Sequence, residues 1–209
     1  MSAEELMAEV SKSRLLRGPT AFAFPTLAFQ EFLTAYALRA AAPSTVVNLI
    51  QPADWRHIDG DTVRPLNLSR GPFHGALPFL CGLSKDGPRV VEHLVEKDLA
   101  LACACFRETR PSTAVDRKLR AALERSVQST DAMTVLIACL GLEARADAWA
   151  VERLEQLACD PGDARALALE ALGNLRSVRS VPVLECAVEA SDTNVANAAM
   201  DALARIQVS

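Results

Sequence analysis

The sequence predicts an all-α protein: a helical bundle leading into an α-solenoid, with one short β-hairpin near the N-terminus. Three observations point that way. Half of the 209 residues are hydrophobic and 23% are charged, a balance that favours a folded chain over a disordered one. The apolar residues are mainly Ala, Leu and Val, with only 5% aromatics, so helices can approach closely, whereas a β-sandwich would need more aromatic and β-branched residues. Finally, Ile137-Ala-Cys-Leu140-Gly141, Glu170-Ala-Leu172-Gly173 and Asp201-Ala-Leu203-Ala204 place equivalent leucines 32 and 31 residues apart. A period of about 30 residues made of two helices is the signature of stacked repeats.

Taken in chain order, residues 3–16 read as a short helix with Leu6, Met7 and Val10 on its apolar side, and Arg17-Gly-Pro-Thr20 reads as a turn. Phe22 and Phe24 alternate with alanines on an extended segment. Phe29, Phe32, Leu33, Tyr36, Ala37 and Ala40 then recur at helical spacing as a stripe to be buried. Residues 41–78 form a connection punctuated by Pro43, Pro52, Pro65, Pro72 and Pro78, with one short helix at 45–51 capped by Ser44. Val90–Leu94 and Leu99–Phe106 supply two further helices. A helix at 115–127 opens with Thr113-Ala-Val-Asp116 in capping-box order. Helices follow at 148–158, at 164–172 with Asp163 as cap, at 181–190 with Pro182 near the first position, and at 194–206 with Asp192 or Thr193 as cap. Domain boundaries are expected at 1–42, 43–110 and 111–209.

Phe22-Ala-Phe-Pro-Thr-Leu-Ala-Phe-Gln-Glu-Phe-Leu-Thr-Ala-Tyr36 resembles the segment that closes the winged-helix part of NACHT-type signalling NTPases. Phe73-His-Gly-Ala-Leu-Pro-Phe-Leu-Cys-Gly-Leu83 resembles, more weakly, the helix that follows it there. The resemblance covers residues 12–107. It implies a winged-helix remnant with the hairpin at Phe22–Phe24, a helical domain, and C-terminal repeats that recognise a ligand. Two positions depart from the family: Thr26 stands where its phosphate-facing histidine would be, and Ala28 where a Ser or Thr would complete a capping box with Glu31. The C-terminal repeats look like short HEAT-type (armadillo-type) units, a class also found in bilin-lyase-like proteins.

No Gly-x-x-x-x-Gly-Lys-Ser/Thr occurs, and Gly82-Leu-Ser-Lys-Asp-Gly87 lacks the residues that cradle a triphosphate. Loss of the histidine fits loss of nucleotide. His57, His74 and His93 fall in different elements, with no metal-ligand spacing and no nucleophile–base pattern, so neither catalysis nor a metal or cofactor is expected. Cys81, Cys103, Cys105, Cys139, Cys159 and Cys186 sit in apolar helical patterns and are expected as small buried hydrophobes; Cys103 and Cys105 point to nearly opposite faces of one helix. The net charge of −4 argues against nucleic acid. The acidic start has no signal-peptide pattern, and the longest apolar run is Leu99 to Phe106, so a cytoplasmic protein without membrane spans is expected.

These readings leave a non-catalytic interaction or sensor module, its partner a protein and, by the resemblance, a separate NTPase polypeptide. The candidate contact residues are Trp55 and Arg56 in an irregular loop at 54–71, Glu152, Arg153, Glu155 and Gln156 on one second helix, and Glu185 and Glu189 on the next. Trp55 as an anchor on the helical body, and a merely solvated helix face, are the plain alternatives. A stand-alone HEAT scaffold and a bilin-lyase-like protein are the rival functions.

Overall fold

The computed structural model describes residues 27–48, 74–162 and 164–207. All regular structure among these residues is helical. In chain order it comprises α1 (Leu27–Leu38), α2 (Pro43–Asn48), α3 (Ala76–Leu83), α4 (Gly87–Leu94), α5 (Leu99–Glu108), α6 (Thr113–Val127), α7 (Ala132–Arg145), α8 (Ala148–Cys159), α9 (Ala164–Asn174), a 3₁₀ turn (Val178–Ser180), α10 (Val181–Val188) and α11 (Thr193–Gln207).

Aspartate side chains cap α5, α7, α8 and α11. The side chains of Asp98, Asp131 and Asp147 each accept a 2.9 Å bond from the backbone N–H of Leu101, Thr134 and Ala150, at the heads of α5, α7 and α8. Asp192 Oδ1 accepts from the N–H groups of Asn194 at 2.8 Å and Val195 at 3.4 Å, at the head of α11. Each cap satisfies a donor the helix itself leaves unpaired. Asp163 lies outside the described residues.

The odd-numbered helices form one row, α1 packing on α3, α3 on α5, α5 on α7, α7 on α9 and α9 on α11. The even-numbered helices lie beside it, α2 against α4, α4 against α6 and α8 against α10, while the Glu124–Arg153 ion pair bridges α6 and α8. The apolar core follows the odd row from Leu77 and Leu80 through Cys103, Leu142 and Leu172 to Ala202. Helix α5 has neighbours on both sides, so Cys103 and Cys105 are both fully buried despite facing apart.

Several expectations change. Leu172 is fully buried, whereas Leu140 and Leu203 are only half-buried. An offset of 30 residues aligns the buried positions instead, with Cys139, Leu169 and Ala199 as one set and Leu142, Leu172 and Ala202 as another. The two-residue difference at α7 is a rotation of about 200°, enough to bring the opposite helix face inward. On α1, Ala35 is buried while Phe32, Ala37 and Ala40 are exposed, and Phe32 makes an edge-to-face contact with Phe79 at 6.1 Å. Because α1 already includes Ala28, the capping-box reading fails. Glu31's carboxylate instead lies against Gly75 at the head of α3, where a Cβ would sit 1.7 Å from Oε1.

Helix α2 starts at Pro43, which places Ser44 inside it, and Pro78 falls in the first turn of α3, where a missing N–H costs no helical bond. Thr113 is the first residue of α6; Ser112 ahead of it makes no side-chain cap, and Asp116 is taken by arginines. Cys81, Cys103, Cys105 and Cys139 are buried as expected, but Cys159 and Cys186 are exposed. The helix at 3–16, the hairpin at Phe22–Phe24, Thr26 and the loop at 54–71 fall outside the described residues.

Candidate interaction surface

Helix α8 carries Glu152, Arg153, Glu155 and Gln156, and α10 carries Glu185. Glu189 follows directly as the C-cap of α10. Glu152, Glu185 and Glu189 are exposed, and no described side chain bonds to the carboxylates of Glu185 or Glu189. The others hold the even-numbered helices together. Arg153 donates from Nε to Glu124 Oε2 at 3.1 Å and from Nη1 to Gln156 Oε1 at 3.1 Å. Glu155 accepts from Arg179 at 2.7 and 3.1 Å, and from the buried Ser180 hydroxyl at 2.7 Å. The Arg179 hydrogen bond holds the Glu155 carboxyl below its ordinary pKa. Arg153, Glu155 and Gln156 are therefore committed within the fold. Trp55 and Arg56 lie outside the described residues.

Sequence reasoning missed a cluster at the junction of α5, α6, α7 and α8. Arg145, only 3% exposed, pairs through Nη2 with Asp116 and with Asp147 at 2.6 Å. Its guanidinium lies 4.9 Å from the Phe106 ring centre and 5.1 Å from that of Trp149, and Arg120 covers Trp149 at 4.7 Å. Burial opposes charge on both Asp116 and Arg145. Their mutual hydrogen bonds outweigh it, lowering the pKa of Asp116 and raising that of Arg145. Among the described residues, Nη1 of Arg145 has no hydrogen-bond partner. A second buried pair, His74 Nε2 and Asp98 Oδ2 at 3.4 Å, ties the start of α3 to the cap of α5. Burial raises the thiol pKa of Cys103 and of Cys139 to about 12, so these sulfurs act as apolar filler.

Clefts open at both ends of the odd-numbered helices. Between the turns ahead of α5, α7 and α9 lie two, of about 220 and 390 Å³, the larger bordered by Gln128, Ser129, Arg153 and Asp160. At the opposite ends, where α9 and α11 finish, lies one of about 470 Å³ formed by Gly173, Asn174, Arg176, Ala204 and Arg205. A polar ladder with a constant step of 31 residues leads into it: Asn174 Nδ2 donates to Glu143 Oε2 at 3.0 Å, and Arg205 Nη1 donates to Asn174 Oδ1 at 2.5 Å.

No family model, no curated protein and no solved structure matches the chain. The functional reading therefore rests on these surfaces. Among the described residues no group of three or more His, Cys, Asp or Glu side chains is placed to hold a metal ion, and no helix is long and apolar enough to cross a membrane.

Proposed function

We propose that the chain is a non-catalytic interaction module, a HEAT-like (armadillo-type) solenoid that binds a protein partner in the cytoplasm. The observation that carries this reading is the recurrence of equivalent features along one row of helices. Cys139, Leu169 and Ala199 recur inside at 30-residue steps, and a hydrogen-bonded chain from Glu143 through Asn174 to Arg205 links the same successive helices on the rim. Such a stack uses its inner residues on the next repeat and leaves its rim and outer row for recognition. The resemblance of residues 12–107 to NACHT-type NTPases suggests the partner class, a P-loop NTPase, since these 209 residues contain no Gly-x-x-x-x-Gly-Lys-Ser/Thr.

Native affinity purification of the full chain, with ATP or ADP present and the bound proteins identified by mass spectrometry, tests this reading. Stoichiometric recovery of a P-loop NTPase supports both parts of it. A different stoichiometric protein keeps the module and removes the NTPase. Recovery of the chain alone, together with nucleotide hydrolysis by the purified chain, contradicts the whole.

A further inference from the structure

We infer that the cleft where α9 and α11 end binds an acidic peptide segment of the partner protein, an inference that rests on the interaction reading above. Its two charged lining residues, Arg176 and Arg205, are both cationic, in a chain whose net charge is −4. Neither arginine makes an ion pair with any described residue. Arg205 is oriented by one bond from Nη1 to Asn174, which is itself fixed by Glu143, so its other N–H groups remain open to a ligand.

Arg176 is held by the backbone rather than by its side chain. Its φ of 50° is in the left-handed region, where the residue after a helix is usually glycine, and its N–H and that of Ser177 bond to the carbonyls of Gly173 and Leu172 at 3.0 and 3.2 Å. Ending the helix does not require an arginine there. Asn174 and Ala204 complete the lining beside the two arginines, while Gly173 is filled on its open side by Ala202 of α11.

A cleft of about 470 Å³ is larger than a single carboxylate or phosphate group needs and suits several residues of a peptide. Two planar guanidiniums match two carboxylates in bidentate geometry. The exposed Glu152 and Glu185 on the even-numbered row, with Glu189 just beyond α10, oppose a long phosphate backbone, which favours a peptide over a nucleic acid.

The test is to pan a random decapeptide phage library on the full chain and measure the labelled consensus peptide by fluorescence anisotropy, with Arg176→Gly and Arg205→Gln as variants. The expected result is enrichment of Asp or Glu at two positions, weaker binding at higher salt, and about a tenfold affinity loss in each variant. Arg176→Gly should melt at the wild-type temperature or above it, because glycine relieves the left-handed strain, so its binding loss is not a loss of fold. Peptides retained without acidic preference, or acidic preference that survives both changes, overturn the cleft while leaving the interaction reading standing. Retention of no peptide overturns the cleft, with the native purification deciding the module separately. Tighter binding of a 20-nucleotide RNA, or a dimer dissolved by the same substitutions, overturns the proposal in favour of those occupants.

Discussion

Two junctions along the row of odd-numbered helices solve the same packing problem differently. Where α5, α6, α7 and α8 meet, a buried arginine is clamped by Asp116 and Asp147 and sandwiched by Phe106 and Trp149, and Gly141 lets α7 approach α5 near Ala100 and Cys103. Where α9 meets α11, contact comes from Gly173 on Ala202, while the charges stay on the rim as the ladder from Glu143 to Arg205. The first junction spends its charges on itself. The second leaves Arg176 and Arg205 without a direct ion pair to any described residue, Arg205 feeling the nearby Glu143 carboxylate through Asn174, beside an open cleft. One row of helices thus contains a locked middle and a terminal junction open to recognition.

The sharpest way to break that contrast is Arg145→Ala, which leaves Asp116 and Asp147 without their cation and empties the space between two aromatic rings. It should destabilise the protein by about 3–5 kcal/mol in urea unfolding, whereas Arg205→Ala, on the rim, should change stability by less than about 1 kcal/mol. Similar losses at both sites would erase the distinction. Leu172→Ala should cost about 2–5 kcal/mol and Leu140→Ala clearly less, because only Leu172 is fully buried. Equal losses would restore the 32-residue register. The glycines separate the junctions again. At Gly173 a Cβ would meet the Ala202 backbone at 2.6 Å, so Gly173→Ala should cost about 1–2 kcal/mol; at Gly141 it meets the side-chain atoms of the buried Leu123 at 3.0 Å and Cys103 at 3.4 Å, which yield more readily than backbone, so Gly141→Ala should cost less than Gly173→Ala.

Acid gives the smallest contrast, with opposite signs. Asp116 has a lowered folded pKa, so its stabilisation is present above the unfolded value of about 4 and is lost as pH falls through the folded one. Burial raises the pKa of Glu143, chiefly against the bond from Asn174, so its charge destabilises the fold above that raised value and the penalty vanishes in acid. Asp116→Asn should therefore lower stability at pH 7 with a deficit that shrinks below about pH 4, while Glu143→Gln should raise stability at pH 7 and give no gain below about pH 4. Urea midpoints across pH 3–7 for both variants check the signs.

The sequence reading recovered those features that depend on local chemistry. Alanine-rich amphipathic runs place the helices at 99–106, 115–127, 148–158, 164–172, 181–190 and 194–206 close to their observed bounds, though none delimits α7, and Asp192 and Pro182 mark helix starts because caps and proline act within one turn. It failed where a side chain's role depends on another helix. Glu31 fits a capping box by spacing yet lies against Gly75, and Asp116 fits another yet turns to Arg145, 29 residues away. The leucine motif, with its steps of 32 and 31 residues, did not mark the inward face, since identity alone does not fix helical rotation. Arg145 stands in the last turn of α7, where a cation needs no burial, and its burial follows only from the row of helices around it. The cleft could have been suspected from one signal only: an arginine at position 176, just after a helix whose end calls for glycine.

Native-state hydrogen exchange on the full chain tests the locked-middle, open-end account most directly. Amides of α5 and α7 should exchange only through the largest opening, α11 should open at a distinctly lower free energy, and Arg145→Ala should abolish that order by loosening α7. Exchange of α11 as slow as that of α7, or opening of both in one step that Arg145→Ala leaves unchanged, would contradict it.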